Sequence, residues 1–395
     1  MKSFLLFVLV VSIQACSLSE IERGRHPDSD GIWSGVSVAD PSNACYVTAL
    51  DYRKGYDWRS DTEKGSVKCS LTVFADCMPV LKVPVGDRYE VSSDPMRHRI
   101  INGHLYTDYT DSVTTVVKLD GKVLYRYEGA EEVDDMIVRS GQVHAISSPM
   151  EGDGFTYRIN GHAVLERSSG KFMGNLCIWK DTVCFCFMQP VTSSAGVTDA
   201  YYLAKGGKVE KIILDEDISR VWDMTAHEGK VCMAVSYNNG IGPVMLSDDG
   251  YEAVGYIQTL NVISCRFVVS EVLCLNVRSR HSVSGTQSDV LWTEGRSWKS
   301  YGYDETLACS YVDTSGFYAA INPTSHMKGL IFKGSQSYVM PEGYCMRGRS
   351  PMAVRDGLLY AGLSSRETSW PVVWTEGRLD TLKVNGPVIG LAFPQ

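Results

Sequence analysis

A two-line pattern of turn and apolar residues recurs along the chain. The first line is a turn residue followed by an alternating apolar run, as in Gly103–Tyr106 and Gly229–Cys232. The second line is a strand-like run that closes in an acidic or polar glycine turn, as in Trp292–Gly295 and Trp374–Gly377. The pattern occurs eight times at an average spacing of about 45 residues. The fourth position of its first line falls at Tyr46, Tyr106, His144, Cys184, Cys232, Leu273, Tyr318 and Tyr360.

Each copy divides into four short apolar runs, as the fourth copy illustrates. Its runs are Asn175–Trp179, Val183–Phe187, Ala200–Leu203 and Val209–Leu214. Runs of four to six residues bounded by Gly, Asp, Asn and Ser predict strands. No convincing helical period occurs beyond the N-terminal segment, so the sequence predicts an all-β protein.

A period of about 45 residues with four strands is typical of one blade of a β-propeller. We therefore expect residues 31–395 to form a single propeller with eight four-stranded blades; seven blades are the alternative if one copy is degenerate. The last run, Pro387–Phe393, is an inner strand without partners of its own, and it would complete the first blade and close the ring. Ile32–Val38 competes for the same inner position, unless one of the two runs adds an extra strand.

The N-terminus has the features of an export signal. Met1-Lys2 is followed by an apolar stretch from Phe4 to Ile13 and then by Cys16, so residues 1–15 are predicted to be a signal peptide. The stretch before Cys16 resembles a bacterial lipobox, which implies that Cys16 is lipidated; the alternative is an ordinary secretory signal. Residues 16–30 are then a flexible tether. The expected location is the outer membrane or cell surface, with a periplasmic or secreted protein as the alternative.

Charge and cysteine content narrow the range of partners. A net charge of −8, without a basic cluster, argues against nucleic acid bound through its phosphates. Several of the 12 cysteines lie inside apolar runs, which favours buried thiols over a disulfide framework. Cys69 and Cys77 are one exception, because they could face each other across a hairpin. The cysteine and histidine spacings do not indicate a metal site, and nothing in the sequence indicates a cofactor.

Two groups of residues are candidates for ligand binding. The connections between the second and third strands and between blades are long and variable, and such loops on a rigid scaffold often carry binding residues. The richest loop contributes aromatic and charged side chains that could stack on sugar rings and bind carboxylates, although its aromatic residues could equally cap the first blade. The loop candidates are Tyr52, Arg53, Tyr56, Asp57, Trp58, Arg59, Arg278 and Trp370.

The second group is expected where the innermost strands begin, at the mouth of the central channel. Several arginines there would suit a carboxylated or phosphorylated ligand, although pairing with acids such as Asp215 and Glu216 on a solvated rim is the alternative. The channel candidates are Arg97, Arg220, Trp222, Arg347 and Arg349.

Catalytic motifs are missing: the chain has no GxSxG elbow, no HExxH and no sialidase-type Asp box. Architecture and lipobox together resemble the β-propeller lipoproteins of Bacteroidetes, with a kelch- or WD40-like arrangement over Ile32 to Phe393. That resemblance implies no active-site residues. The sequence therefore favours a membrane-anchored binding or scaffold module for a glycan, peptide or protein partner. The alternative is a propeller-fold glycan-cleaving hydrolase or lyase, whose carboxylates would come from several blades.

Overall fold

The computed structural model describes most of the chain between Ile32 and Phe393. The described residues are 32–33, 44–52, 69–85, 98–101, 104–110, 114–120, 122–193, 196–214, 218–237, 240–247, 250–259, 261–268, 273–280, 287–293, 296–301, 306–313, 316–323, 328–347, 352–366 and 370–393. The predicted signal peptide and tether lie outside this set. Within it the regular elements are strands, and none is a helix. In that same part, no helix is long and apolar enough to cross a membrane.

The first strands form two antiparallel sheets. Sheet 1 contains β1 (Ile32–Trp33), β2 (Tyr46–Tyr52), β3 (Cys69–Ala75) and β4 (Met78–Val85). Sheet 2 contains β5 (His98–Ile101), β6 (His104–Thr110), β7 (Thr114–Leu119) and β8 (Lys122–Glu128), in that order across the sheet.

The next three sheets follow the same plan. Sheet 3 contains β9 (Glu131–Arg139), β10 (Gln142–Pro149), β11 (Phe155–Ile159) and β12 (His162–Arg167). Sheet 4 contains β13 (Lys171–Trp179), β14 (Thr182–Ser193), β15 (Gly196–Lys205) and β16 (Lys208–Lys211). Sheet 5 contains β17 (Ile218–His227), β18 (Lys230–Tyr237), β19 (Gly240–Ser247), β20 (Gly250–Ala253) and the short β21 (Ile257–Gln258), which pairs with β19.

Three further sheets and one last strand complete the described residues. Sheet 6 contains β22 (Val262–Val268), β23 (Cys274–Arg280), β24 (Gln287–Thr293) and β25 (Arg296–Tyr301). Sheet 7 contains β26 (Thr306–Asp313), β27 (Gly316–Asn322), β28 (Leu330–Lys333) and β29 (Gln336–Val339). Sheet 8 contains β30 (Tyr344–Cys345), β31 (Met352–Arg355), β32 (Leu358–Ser365), β33 (Val372–Thr375) and β34 (Arg378–Thr381), and β35 (Val388–Ala392) ends the chain.

The chain divides into two compact units. Unit 1 comprises Met1–Tyr109, Val116–Arg126 and Gly343–Gln395, and it holds sheets 1 and 8 with most of sheet 2. Unit 2 comprises Thr110–Thr115 and Tyr127–Glu342, and it holds sheets 3 to 7.

The predicted C-terminal inner strand is found where the pattern places it within unit 1. The strand order of sheet 1 is β1-β4-β3-β2-β35, so β35 lies at one edge and pairs with β2. Ile32 and Trp33 lie at the other edge, opposite Lys82 and Leu81, and are thus an added outer strand rather than an inner one. The two segments thus take opposite edges of sheet 1.

Tight turns explain why the inner hairpins are so uniform. In sheets 3, 4, 5 and 8 a two-residue turn joins the inner hairpin, and both turn residues have positive φ between 47° and 73°. This turn geometry matches the right-handed twist of strands and favours Gly, Asn and Asp. The turns are Ser140-Gly141, Lys180-Asp181, Glu228-Gly229 and Asp356-Gly357. These residues correspond to the turn positions of the repeated sequence pattern.

Aromatic and aliphatic side chains fill the space between sheets 3, 4 and 5 of unit 2. Phe155 lies 5.0 Å from Phe187, and Tyr157 lies 5.0 Å from Phe185, measured between ring centroids. All four rings are fully buried. Alternate residues of facing strands therefore build one continuous core.

Buried aspartates link neighbouring sheets of unit 2 through the backbone. Asp135 of β9 accepts a hydrogen bond from its own neighbour Met136 N and another from Leu176 N of β13. Asp223 of β17 repeats the arrangement with Met224 N at 2.8 Å and Phe267 N of β22 at 2.7 Å. Each carboxylate thus satisfies backbone donors of two successive sheets.

The predicted exception among the cysteines is wrong. Cys77 occupies the turn between β3 and β4, where its thiol is free. Cys69 lies at the far end of β3, opposite Val85. At a rise of about 3.4 Å per residue, the length of the strand keeps the two Cα atoms much further apart than the roughly 7 Å that a disulfide allows.

Candidate ligand-binding site

The structure describes only part of the predicted binding set. Most of the aromatic loop lies outside the described residues, as does the lipidation candidate Cys16. The candidates in this situation are Arg53, Tyr56, Asp57, Trp58, Arg59, Arg97 and Arg349.

Two loop candidates are in fact strand residues. Tyr52 is the last residue of β2, opposite Cys69, and is only 5% exposed. Arg278 lies within β23, opposite Ser264 on one side and Asp289 on the other, and is half-buried. The prediction put both residues in loops because polar and aromatic residues in short runs resemble loop composition. Their hydrogen-bonded ladders extend further than the apolar pattern does.

Arg347 and Trp370 are accessible in unit 1. Arg347 follows β30 and is exposed, and Trp370 precedes β33 with 52% of its surface exposed. Trp370 therefore presents a large apolar face to solvent, as a contact residue would.

Arg220 and Trp222 form the best-defined pair among the predicted residues. Both lie in β17, the inner strand of sheet 5. The Cζ atom of Arg220 lies 3.8 Å from the centroid of the Trp222 ring, and Arg220 is exposed while Trp222 is half-buried. Trp222 Nε1 donates a hydrogen bond of 2.6 Å to Ser236 Oγ of β18. The ring is therefore fixed in orientation, and it holds the guanidinium by a cation–π contact.

Arg220 and Trp222 lie in a part of β17 where the backbone pairing with β18 is irregular. The ladder between β17 and β18 shifts register twice, once between Ile218 and Arg220 and once between Val221 and Asp223. Ser219 and Trp222 are thus extra residues in bulges, and a bulge changes the direction of a side chain. The Trp222 ring packs on one side against the core cluster shared by sheets 5 and 6.

Sheet 4 brings further polar groups next to the pair. Tyr201 of β15 is hydrogen-bonded to the backbone of Val221, and burial raises the pKa of its phenol, with Asp199 and Arg220 as smaller electrostatic influences. Asp199 is exposed. We call Asp199, Tyr201, Arg220, Trp222 and Ser236 the Arg220 site.

An exposed aromatic residue lies at the same end of sheet 5. The Tyr256 ring is 6.0 Å from the ring of Tyr237, the cross-strand partner of Ile218, and it is 49% exposed. Aromatic faces of this kind can take up part of a ligand that extends from the Arg220 site.

Electrostatics favour an anionic group at Arg220. Within the described part of the chain, no carboxylate forms an ion pair with its guanidinium. Stacking occupies one face of the guanidinium plane, whereas its N–H edge is suited to a carboxylate. The acids that precede the strand, Asp215, Glu216 and Asp217, lie outside the described residues.

Two buried polar side chains of unit 2, Arg158 and His144, already have protein partners. Arg158 is buried, donates to both carboxylate oxygens of Glu131 at 2.6 and 3.0 Å, and stacks on Tyr127 at 3.9 Å. His144 is buried and lies 2.7 Å from the Tyr157 hydroxyl, and burial lowers the pKa of its ring. In the described residues no group of three or more His, Cys, Asp and Glu side chains is arranged to hold a metal ion.

Sequence reasoning missed Tyr201, Asp199 and Ser236 as neighbours of the pair. Tyr201 and Asp199 belong to another sheet, and Ser236 is placed opposite Arg220 only by the shifted register.

Neither a protein-family model nor a curated protein matches the chain. Solved structures do. Dihydro-heme d1 dehydrogenase NirN is similar over 93% of this chain and 80% of its own, with 11% identity and a TM-score of 0.52.

Two further neighbours are named as propellers. The β-propeller domain of the Trilobed protease from Pyrococcus furiosus matches 63% of this chain and 82% of its own, with 12% identity and a TM-score of 0.38. The Dos1 propeller matches 89% of this chain and 93% of its own, with 8% identity and a TM-score of 0.40. The repeated four-stranded antiparallel sheets are the unit from which β-propellers are built, and they support a β-propeller architecture for this protein.

Proposed function

We propose that this protein is a membrane-anchored, exported β-propeller that binds a glycan, peptide or protein partner at the Arg220 site. The partner presents a carboxylate to Arg220 and a flat or apolar face to Trp222. One observation carries the proposal: an exposed arginine is stacked at 3.8 Å on a tryptophan whose indole nitrogen is itself hydrogen-bonded. A prearranged side chain loses less conformational entropy when a ligand binds.

The finer architecture belongs to the same proposal. We take sheets 1 to 8 as eight blades of a single ring that β35 closes through sheet 1. Two facts support this: the sheets follow one another in chain order, and β35 supplies the inner strand that β2 would otherwise lack. Lipidation at Cys16 would hold the ring at the outer membrane or cell surface, with the binding face accessible.

The glycan-cleaving alternative has less support in the described residues. Its acid and base would be carboxylates accessible to a substrate. The buried Asp135 and Asp223 instead use both oxygens to accept backbone N–H groups. These two aspartates therefore stabilise the sheets. A binding role, in contrast, does not require a catalytic pair of carboxylates.

A glycan and peptide array tests the binding role. The full chain, solubilised in detergent, is applied as wild type, as Arg220→Gln and as Arg378→Gln. Arg378 is an exposed arginine of sheet 8 and is not part of the Arg220 site, so the control makes the same change in net charge. We expect ligands with a carboxylate to bind the wild type and the control equally, and Arg220→Gln at least about 10-fold more weakly.

Two results would contradict the proposal. One is equal binding of the selected ligands by Arg220→Gln and wild type. The other is a loss of binding in Arg378→Gln as large as in Arg220→Gln, because the effect would then come from net charge alone. A variant with Asp215, Glu216 and Asp217 changed to amides should bind more tightly if those acids compete for Arg220.

A further inference from the structure

Sheet 4 places two thiols directly beside each other. Cys177 of β13 and Cys184 of β14 are paired across the ladder, close to the turn at Lys180-Asp181. Their Sγ atoms are 3.1 Å apart, and the residues are 8% and 0% exposed. Both thiols are free.

The backbone geometry at this pair is compatible with a disulfide. Directly opposite residues of an antiparallel ladder have Cα atoms about 4.5 or about 5.5 Å apart. Both values lie within the range of about 4.4–6.8 Å found in disulfides. The sulfur atoms would need to approach by only about 1 Å to reach bonding distance.

The other described cysteines do not share this arrangement. Cys186 is two residues further along β14, but it faces Met173 across the ladder. Among the cysteines that the structure describes, no second pair of thiols is hydrogen-bonded sulfur to sulfur. The contact is therefore specific to Cys177 and Cys184.

We propose that Cys177 and Cys184 form an intrachain disulfide when the chain folds in a thiol-oxidising compartment. The oxidant is a small disulfide such as oxidised glutathione. One cysteine thiolate attacks it, which forms a mixed disulfide and releases one glutathione thiolate. The second cysteine thiolate attacks the protein sulfur of the mixed disulfide and releases the other glutathione. Two protein thiols are oxidised to one disulfide, and the small disulfide is reduced to two thiols.

Burial determines when this exchange takes place. The hydrogen bond with Cys184 and then burial raise the pKa of the Cys177 thiol well above its usual value. Thiolate is the reactive form, so exchange is slow once sheet 4 has packed. The bond forms while the hairpin is still accessible, and the same burial then protects it from reductants.

Tryptic mapping tests the inference directly. The full chain is refolded from its reduced, denatured form in a glutathione redox buffer, and refolding is verified by circular dichroism. Remaining thiols are alkylated under denaturing conditions before digestion. Cleavage after Lys171, Lys180 and Lys205 places Cys177 in residues 172–180 and Cys184 in residues 181–205. We expect these two peptides to be linked, and a reductant to separate them.

Cys186 is the matched control, because it shares a tryptic peptide with Cys184. The linked pair should persist in Cys186→Ala and disappear in Cys184→Ala. Alkylation of both Cys177 and Cys184 in the refolded wild type would overturn the inference, as would a linked pair in Cys184→Ala. If a variant does not fold, fragmentation of the linked wild-type peptides identifies the bonded sulfur without it.

Discussion

Asp223 shows how one residue combines packing with electrostatics. The residue is 2% exposed, yet its carboxylate is the acceptor for Met224 N and Phe267 N. Burial raises its pKa from 3.8 to about 7, against the opposing effect of the two backbone donors. The protonated form is therefore favoured in the folded protein relative to the unfolded chain.

A pH dependence of stability follows from this residue. The unfolded chain releases the proton near pH 3.8, whereas the folded protein retains it up to about pH 7. The contribution of Asp223 to the free energy of unfolding therefore falls as pH rises through this interval, by up to about 1.4 kcal/mol per unit of pKa difference. Asp223→Asn loses one backbone acceptor, at a cost of about 1–3 kcal/mol, but cannot titrate.

Urea unfolding at about pH 4 and about pH 8 measures this difference. We expect Asp223→Asn to be clearly less stable than the wild type at the lower pH, and the gap to narrow at the higher pH. Val221 is a buried neighbour in β17 that does not titrate. The free energy of unfolding of Val221→Ala should therefore differ from that of the wild type by the same amount at both pH values. A gap for Asp223→Asn that is constant with pH would contradict the prediction.

Gly174 marks a close approach between sheets 4 and 5. Its φ is +77°, and an added Cβ would lie 2.2 Å from Asp223 Oδ1 and 2.5 Å from Met224 N. Gly229 has a similar φ of +70° with nothing within 4 Å of an added Cβ. A substitution at Gly229 therefore tests backbone strain alone, whereas a substitution at Gly174 tests backbone strain together with steric overlap.

Alanine substitutions at these glycines should have different costs. Gly229→Ala should destabilise the protein by about 1–2 kcal/mol through its left-handed backbone alone. Gly174→Ala should cost at least about 2 kcal/mol more, because Asp223 and the β17 backbone must move. Chemical unfolding of both variants measures the difference, and equal losses would show that the inter-sheet contact is not tight.

The sequence made Arg220 and Trp222 identifiable because they lie close together where an innermost strand was expected to begin. It could not identify Ser236 or Tyr201 as their neighbours. Ser236 depends on bulges, which leave no signature in the apolar pattern, and Tyr201 depends on the packing of one sheet against the next. The position in the repeat therefore predicted the pair and not its surroundings.

At the level of elements, β35 stabilises an edge that would otherwise be exposed. Val388 is opposite Ala49 and Leu391 is opposite Val47, and all four residues are buried. Leu50 N donates to Pro387 O at 3.0 Å, which extends the pairing beyond the strand itself. Without β35, the backbone groups of β2 would lose these partners.

Removal of residues 385–395 should therefore lower the thermal midpoint strongly and expose an edge that promotes aggregation. A synthetic peptide of these residues, added in trans, should restore much of the lost stability. The same peptide with Val388→Lys and Leu391→Lys should not, because its buried face has become charged. Differential scanning fluorimetry compares the three samples, and a truncated chain as stable as the full one would contradict the prediction.

The β14–β15 hairpin shows where pattern-based strand ends are too short. The apolar run predicts Val183–Phe187, but the strand continues to Ser193. Its inner partner β13 reaches only Met188, so Pro190 pairs on one side alone, opposite Asp199. Proline is tolerated there because no backbone N–H is needed towards the missing neighbour. Polar residues thus continue a ladder that apolar periodicity cannot detect.

At the level of the whole molecule, the repeat predicted the succession of four-stranded antiparallel sheets. Seven of the eight residues at the fourth position of the repeated pattern lie within strands, for instance His144 in β10 and Cys184 in β14, and the eighth, Leu273, directly precedes β23. The repeat succeeds because each copy needs the same turn and the same buried face. The composition of sheet 1 was left open, since two distant segments had the same apolar pattern.

The proposed anchor makes a prediction for the complete chain. In a bacterium that processes lipoproteins, Cys16→Ala should abolish the incorporation of labelled palmitate and release the protein from the membrane fraction. Ser17→Ala, one residue away, should behave as the wild type. Unchanged labelling and fractionation of Cys16→Ala would refute lipidation at this position.

The aspartate links between sheets also have a consequence for cooperativity. If sheet 6 melted alone, the Oδ2 atom of Asp223 would lose its hydrogen bond from Phe267 N. If sheet 4 melted alone, Asp135 would lose Leu176 N in the same way. Each local opening leaves a carboxylate oxygen without its backbone donor in a sheet that is still folded. States in which only one of the two linked sheets is unfolded are therefore higher in free energy. We therefore expect sheet 3 to unfold together with sheet 4, and sheet 5 together with sheet 6, rather than as independent modules.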